Sequence, residues 1–109
     1  MFNKHDEENY RNVLSGITMK TPVHGTNTLL CEFRLAEGSE LPLHKHPHEQ
    51  TGYCVSGRLE LTIDGKTYEA TAGDSWCIPG DVEHSAQILE NTIAVEVFSP
   101  VREDYLSDK

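Results

Sequence analysis

The sequence predicts an all-β, single-domain barrel or sandwich, on three observations. Glycines and prolines punctuate the chain at short intervals, among them Gly16, Pro22, Gly25, Gly38, Pro42, Gly52, Gly57, Gly65, Gly73, Pro79 and Pro100. Between them lie segments of about five to nine residues rich in Val, Ile, Leu, Thr and Tyr, the rhythm of short strands joined by turns. Several of these segments alternate apolar and polar residues, and no helical pattern of about 12 residues appears.

The elements follow in chain order. The acidic start, Met1 to Glu8, has no secretory apolar stretch and reads as a short, solvated N-terminal arm. Glu7 to Leu14 is the nearest helical candidate, but it is short and uncapped. Leu29, Cys31, Phe33 and Leu35 alternate with Leu30, Glu32 and Arg34, the pattern of a strand with one buried face. Leu59-Glu60-Leu61-Thr62-Ile63 and Lys66-Thr67-Tyr68-Glu69-Ala70 flank Asp64-Gly65, a hairpin with glycine where a positive φ is needed. Thr92 to Phe98 forms a last strand, apolar except for Glu96. With no repeat, linker or composition shift, residues 1–109 make one domain, with a barrel core over about 12–100 and a short C-terminal tail.

Composition narrows the function. The 109 residues carry 9 basic against 18 acidic side chains, a net charge of −9. The basic residues never cluster, so the electrostatic footprint of a nucleic-acid binder is missing. No apolar run approaches the length of a membrane span. The cysteines Cys31, Cys54 and Cys77 are odd in number, form no CxxC pair and sit in apolar runs. They are expected as small buried hydrophobes in a reducing cytoplasm.

The histidines carry the chemistry. In His44-Lys45-His46, a strand would point both imidazoles to one face and turn Lys45 away. His84 follows about 40 residues later, near another strand start, so a barrel interior can add it as a third ligand. Imidazoles suit Zn, Ni, Cu and Fe ions. Gln50 shares the inward parity of the strand that follows and offers an amide oxygen, while Gly52 would leave space beside the metal. Glu49 is chemically the stronger ligand but points the other way. Three imidazoles and one amide would leave the ion its full 2+ charge and its strength as a Lewis acid. His46 with His48 is the rival register, with Pro47 interrupting the ladder between them. His48 and Glu49 read as rim groups, and His5 and His24 as exposed.

Glu96 shares a face with Ala94 and Phe98. A carboxylate in that run either meets water, is held in an ion pair, or is kept inside as a general acid or base with a tuned pKa. Arg102, just past Pro100, is either an exposed tail residue or a bidentate clamp for a substrate carboxylate. Arg34 and Arg58 are further anion-binding candidates. Trp76 and Tyr53 either line a pocket or fill the core, with core favoured for Trp76 by its neighbours Cys77 and Ile78. At −9 the whole chain repels anions at long range, so an anionic ligand needs local positive charge.

Two stretches resemble the cupin superfamily. Gly38-x5-His44-x-His46-x3-Gln50-x6-Gly57 is similar to the first cupin motif, and Gly73-Asp74-Ser75-Trp76-Cys77-Ile78-Pro79-Gly80-Asp81-Val82-Glu83-His84 to the second. Gln50 replaces the usual glutamate, Asp81 a glycine, and Ile88 stands at the motif's last asparagine position. The resemblance implies a double-stranded β-helix, or jelly-roll barrel, that is homodimeric and holds one divalent transition metal ion (Ni, Zn, Mn or Fe).

His44-Lys45-His46-Pro47-His48-Glu49-Gln50, Tyr53-x-Val55-Ser56-Gly57-Arg58 and Phe98-Ser99-Pro100-Val101-Arg102-Glu103-Asp104 resemble the pectin-degradation cupins of the KdgF type. That group opens 4,5-unsaturated uronates to linear keto sugar acids. The resemblance implies metal ligands His44, His46, Gln50 and His84, catalytic Glu96 and Arg102, and substrate contacts from Phe98, Arg102 and Tyr53. Glu96 is one methylene longer than the group's usual aspartate, which moves the carboxylate by about an ångström, enough to alter rate or substrate. The partner implied is a small sugar acid. Two other readings stand beside this one, an Fe or Mn cupin dioxygenase and a non-catalytic sugar- or effector-binding module.

Overall fold

The computed structural model describes residues 1–106. Eight strands form one antiparallel sheet: β1 (Arg11–Leu14), β2 (Ile17–His24), β3 (Leu29–Leu35), β4 (Glu40–His44), β5 (Glu49–Ile63), β6 (Lys66–Thr71), β7 (Ser75–Ile78) and β8 (His84–Ser99). The order is β1-β2-β3-β8-β5-β6, with β4 added on β8 and β7 on β5.

The long strands β5 and β8 form the spine, paired from Glu49↔Ser99 to Ile63↔His84. The register shifts between Cys54 and Leu59, where bulges interrupt the ladder. On one side of the bulges the pair is flanked by β7 and β3, on the other by β6 and β4. This change of partners bends the ribbon on itself, since bulges sharpen twist and let a strand pass from one layer to the next. The result is an all-β barrel, the fold class that the sequence predicts.

The alternation read in the sequence maps onto burial. Leu29, Cys31, Phe33 and Leu35 of β3 are buried, as are Leu59 and Leu61 of β5. With Ile17, Met19, Ala94 and Phe98 they make one core. Burying each large apolar side chain contributes about 1.5–3 kcal/mol. Asp64 (φ 51°) and Gly65 (φ 81°) both take left-handed conformations, the signature of a two-residue hairpin turn that matches strand twist.

Three expectations change. Glu7–Leu14 holds no helix: Arg11–Leu14 is β1, and the helix seen among the described residues is one turn, α1 (Glu103–Leu106), in the expected tail. Cys31 and Cys54 are buried, but Cys77 is exposed. On β7, Trp76 and Ile78 turn inward, so strand parity forces Cys77 out. The third change concerns two of the arginines. Arg34 pairs with Glu7 of the N-terminal arm at 2.9 Å. Arg58 pairs with Glu90 at 3.0 Å and Glu69 at 3.4 Å. Both are thus occupied as surface ion pairs, away from the barrel interior, where solvent screens them.

Val101, Tyr105 and Leu106 fold back against the core. Arg11 Nη2 donates to the Tyr105 carbonyl at 2.6 Å and ties this segment to β1. No helix of the described residues is long and apolar enough to cross a membrane.

Gly57 sits at the bulged bend with φ 100°. A Cβ there would lie 2.3 Å from the Asn91 carbonyl oxygen and 2.6 Å from Thr92 Cα. Both are backbone atoms of β8 and cannot swing away. Gly57→Ala is therefore expected to destabilise the fold by about 2 kcal/mol or more, lowering the thermal midpoint by roughly 10 °C. An unchanged melting curve by circular dichroism would contradict this account of the bend.

Candidate metal centre

The ladder assembles the site. His44 ends β4 and pairs with His84 at the start of β8. His46 lies in the connection to β5, Gln50 follows at the second residue of β5, and Glu96 and Phe98 come from the far half of β8. Gln50 is paired with Phe98, and Gly52 with Glu96. Residues from three strands and a loop thus meet at one end of the barrel.

Ligand atoms of His44, His46 and His84 all lie within 4.8 Å of one another. Each ring is held the same way, its Nδ1 on the carbonyl of a residue two positions away: His44 on Pro42 at 2.7 Å, His46 on His48 at 3.0 Å, His84 on Val82 at 2.9 Å. A carbonyl only accepts, so each Nδ1 carries a proton and Nε2 is the nitrogen left to offer a lone pair. Burial is the main cause that holds His46 and His84 below the usual histidine pKa, and the Arg102 charge adds to it. Both rings are therefore neutral near pH 7, the form that binds metal.

Gln50 is buried. Its Nε2 donates to Glu96 Oε1 at 2.5 Å, which turns its Oε1 to within 3.0 Å of His46 Nε2. With the His46 proton on Nδ1, that pair is two acceptors facing each other with no hydrogen between them. Such an arrangement is unfavourable alone and suits a cation placed among the lone pairs. The donor set of three imidazoles and one amide oxygen therefore fits a divalent transition ion.

Glu96 is pushed up to about 7 by burial, an effect that its hydrogen bonds from Gln50 and Trp76 only partly offset. Both bonds fall on Oε1; among the described residues none reaches Oε2. Phe98 is buried, its ring 5.7 Å from that of His46. The Arg102 guanidinium stacks 3.9 Å from the Tyr105 ring centroid and 5.1 Å from that of Phe98, and it pairs with Asp104 at 2.8 Å. These groups, with apolar Val13, Leu41, Leu59 and Ile78, line a cavity of about 40 Å³, room for roughly three waters. A larger open groove of about 580 Å³ over β6 and β7 gathers no such donors.

The structure thus brings His44, His46, Gln50, His84, Glu96, Phe98 and Arg102 to one cavity. Tyr53 stands apart. It is half exposed, with parity opposite to Gln50, Gly52 and Cys54, and faces away. His48 offers its carbonyl to His46, not its ring, so the cluster follows the 44/46 register. Glu49, His5 and His24 are exposed. The space at Gly52 is filled by the Trp76 indole. Trp76 packs against the core, as its neighbours imply, and also donates to Glu96. Tyr105 escaped the sequence reading because its only signal was an aromatic residue in an acidic tail.

Fold and site define a small β-barrel protein with an imidazole-lined interior. Residues 31–99 match the cupin domain family, and the chain belongs to it. It is 25% identical over 103 residues to the pectin degradation protein KdgF of Dickeya dadantii (strain 3937), covering 93% of this chain and 94% of that one. The structure of KdgF from Halomonas sp. superimposes with a TM-score of 0.90 at 29% identity, covering 95% and 98% of the two chains. H2HPP isomerase of Bacillus subtilis is 33% identical over 67 residues, 60% of this chain but 28% of that longer protein.

Purified protein is expected to carry about one divalent ion per chain, and His46→Ala or His84→Ala to reduce it to background in elemental analysis. Wild-type metal content in either variant would exclude that histidine as a ligand.

Proposed function

We propose that this protein is a metal-dependent cupin that opens the ring of 4,5-unsaturated uronates, with His44, His46, Gln50 and His84 as metal ligands and Glu96 and Arg102 as catalytic residues. One observation carries the reading above all. A partly buried carboxyl, Glu96, lies beside the three-imidazole cluster in the same cavity as Arg102. The full-length similarity to two KdgF proteins supports the substrate class.

A divalent ion held by the four ligands would supply Lewis acidity toward a substrate oxygen. The chain supplies the rest. Arg102 binds the uronate carboxylate through its guanidinium fork, exchanging the Asp104 carboxylate for that of the substrate. This places one local positive charge against an overall charge of −9. The Phe98 ring packs beneath the guanidinium and closes the wall. The 40 Å³ cavity admits the reacting oxygens, while the sugar ring rests at the mouth beside exposed His44.

Glu96 Oε2 takes the proton of the anomeric hydroxyl. The C1–O5 bond breaks, C1 becomes an aldehyde, and O5 remains on C5 as an enolate. The Glu96 proton then goes to C4 as the enolate collapses to the 5-ketone. Atoms balance with no water consumed. A carboxyl poised near pH 7 suits taking and returning one proton.

Glu96→Gln retains an acceptor for Gln50 and Trp76 but cannot shuttle a proton. It is expected to keep its metal and to lose about a hundredfold or more in turnover of unsaturated galacturonate, followed by loss of the enol-ether absorbance. Arg102→Gln is expected to raise KM about 10- to 100-fold. Unchanged rates in Glu96→Gln would remove Glu96 from the mechanism. Wild-type protein that holds metal and binds the uronate without turnover would point instead to a sugar-binding module.

A further inference from the structure

We propose that Trp76 is a positioning residue for the metal centre: its indole N–H, admitted across the sheet by Gly52, holds Glu96 Oε1 against the amide N–H₂ of Gln50 and so keeps the Gln50 oxygen turned toward His46. The inference rests on the ligand set proposed above and adds the device that orients its weakest member.

Trp76 on β7 and Glu96 on β8 both pair directly with Gly52 on the β5 strand between them. Cross-strand partners share a face, and neighbouring strands lie about 4.8 Å apart, so the two backbones are roughly 10 Å from each other. A side chain at position 52 would block the path between them. A Cβ built on Gly52 would lie 2.1 Å from Trp76 Nε1 and 2.2 Å from its Cε2. With glycine there, the indole lies across β5 and donates to Glu96 Oε1 at 3.1 Å.

An indole nitrogen only donates, so it fixes in place the Glu96 oxygen that accepts from it. That same Oε1 faces the Gln50 amide at 2.5 Å. A carboxylate oxygen held there takes the N–H₂ end of the amide, which sends the carbonyl oxygen to His46 Nε2 at 3.0 Å. The two ends of a carboxamide are nearly equal in size, so shape alone does not choose between them. The reversed amide would give His46 Nε2 a hydrogen and leave the site one ligand short. Trp76 works against that reversal by holding the Glu96 carboxylate in place, its own hydrogen bond going to Glu96 and not to a ligand.

Co²⁺ added to metal-free protein, with visible d–d absorption as the readout, tests this. Trp76→Phe removes the donor. Replacing this single tryptophan with benzothienylalanine swaps N–H for sulfur in a ring of the same shape. Gly52→Ala expels the indole. All three are expected to weaken Co²⁺ binding about tenfold or more and to move the spectrum toward that of Gln50→Ala. The benzothienylalanine protein should also melt like the wild type. Wild-type affinity and spectrum in that protein would overturn the proposal whatever the other variants do. If the wild type takes up no Co²⁺, or His46→Ala binds it equally well, the ligand set fails instead of the positioning role.

Discussion

The site depends on the register of β5 against β8. That one ladder fixes Gln50 opposite Phe98, Gly52 opposite Glu96 and Ile63 opposite His84. A slip of one residue would put Gln50 on the opposite face from Glu96 and Phe98, since strand side chains alternate strictly. The bulges around Gly57 pin the register and bend the spine, bringing His84 at one end of β8 into the same cavity as Phe98 near the other. Folding and site assembly are thus one event, and the apolar residues that hold the ladder also hold the donors.

Electrostatics at the site are prepared by the backbone. Three carbonyls, each from a residue two positions from its histidine, hold the Nδ1 protons and leave the Nε2 lone pairs pointing inward. The Gln50 oxygen joins them from a side chain whose other end is tethered to Glu96. Lone pairs gathered in this way repel one another, and the hydrophobic core around them meets that cost. A cation converts the strain into binding, which is why such a constellation reads as a metal site and not as a polar flaw in the core.

Much of this was legible in the sequence because the relevant periods are short. The two-residue spacing of His44 and His46 and the alternation in Leu29–Leu35 report strand faces directly. The Asp64-Gly65 hairpin followed from turn chemistry. What the sequence hid depends on neighbours across strands. Nothing near residue 52 announces that its missing side chain makes room for Trp76, which lies 24 positions away in a ladder that only the fold creates. Cys77 looked buried because its neighbours are apolar, yet on a strand those neighbours are what force it outward. Tyr53 kept company with motif residues but has the wrong parity. Arg34 and Arg58 looked free until the fold set carboxylates beside them.

The most direct measurement is a crystal structure of metal-loaded protein with anomalous data collected at the absorption edge of the bound ion. The account predicts a single ion bonded to Nε2 of His44, His46 and His84 and to Oε1 of Gln50, at about 2.0–2.2 Å from each. An ion held through a ring Nδ1, an ion bound without Gln50, or an ion lying outside this cavity would contradict it.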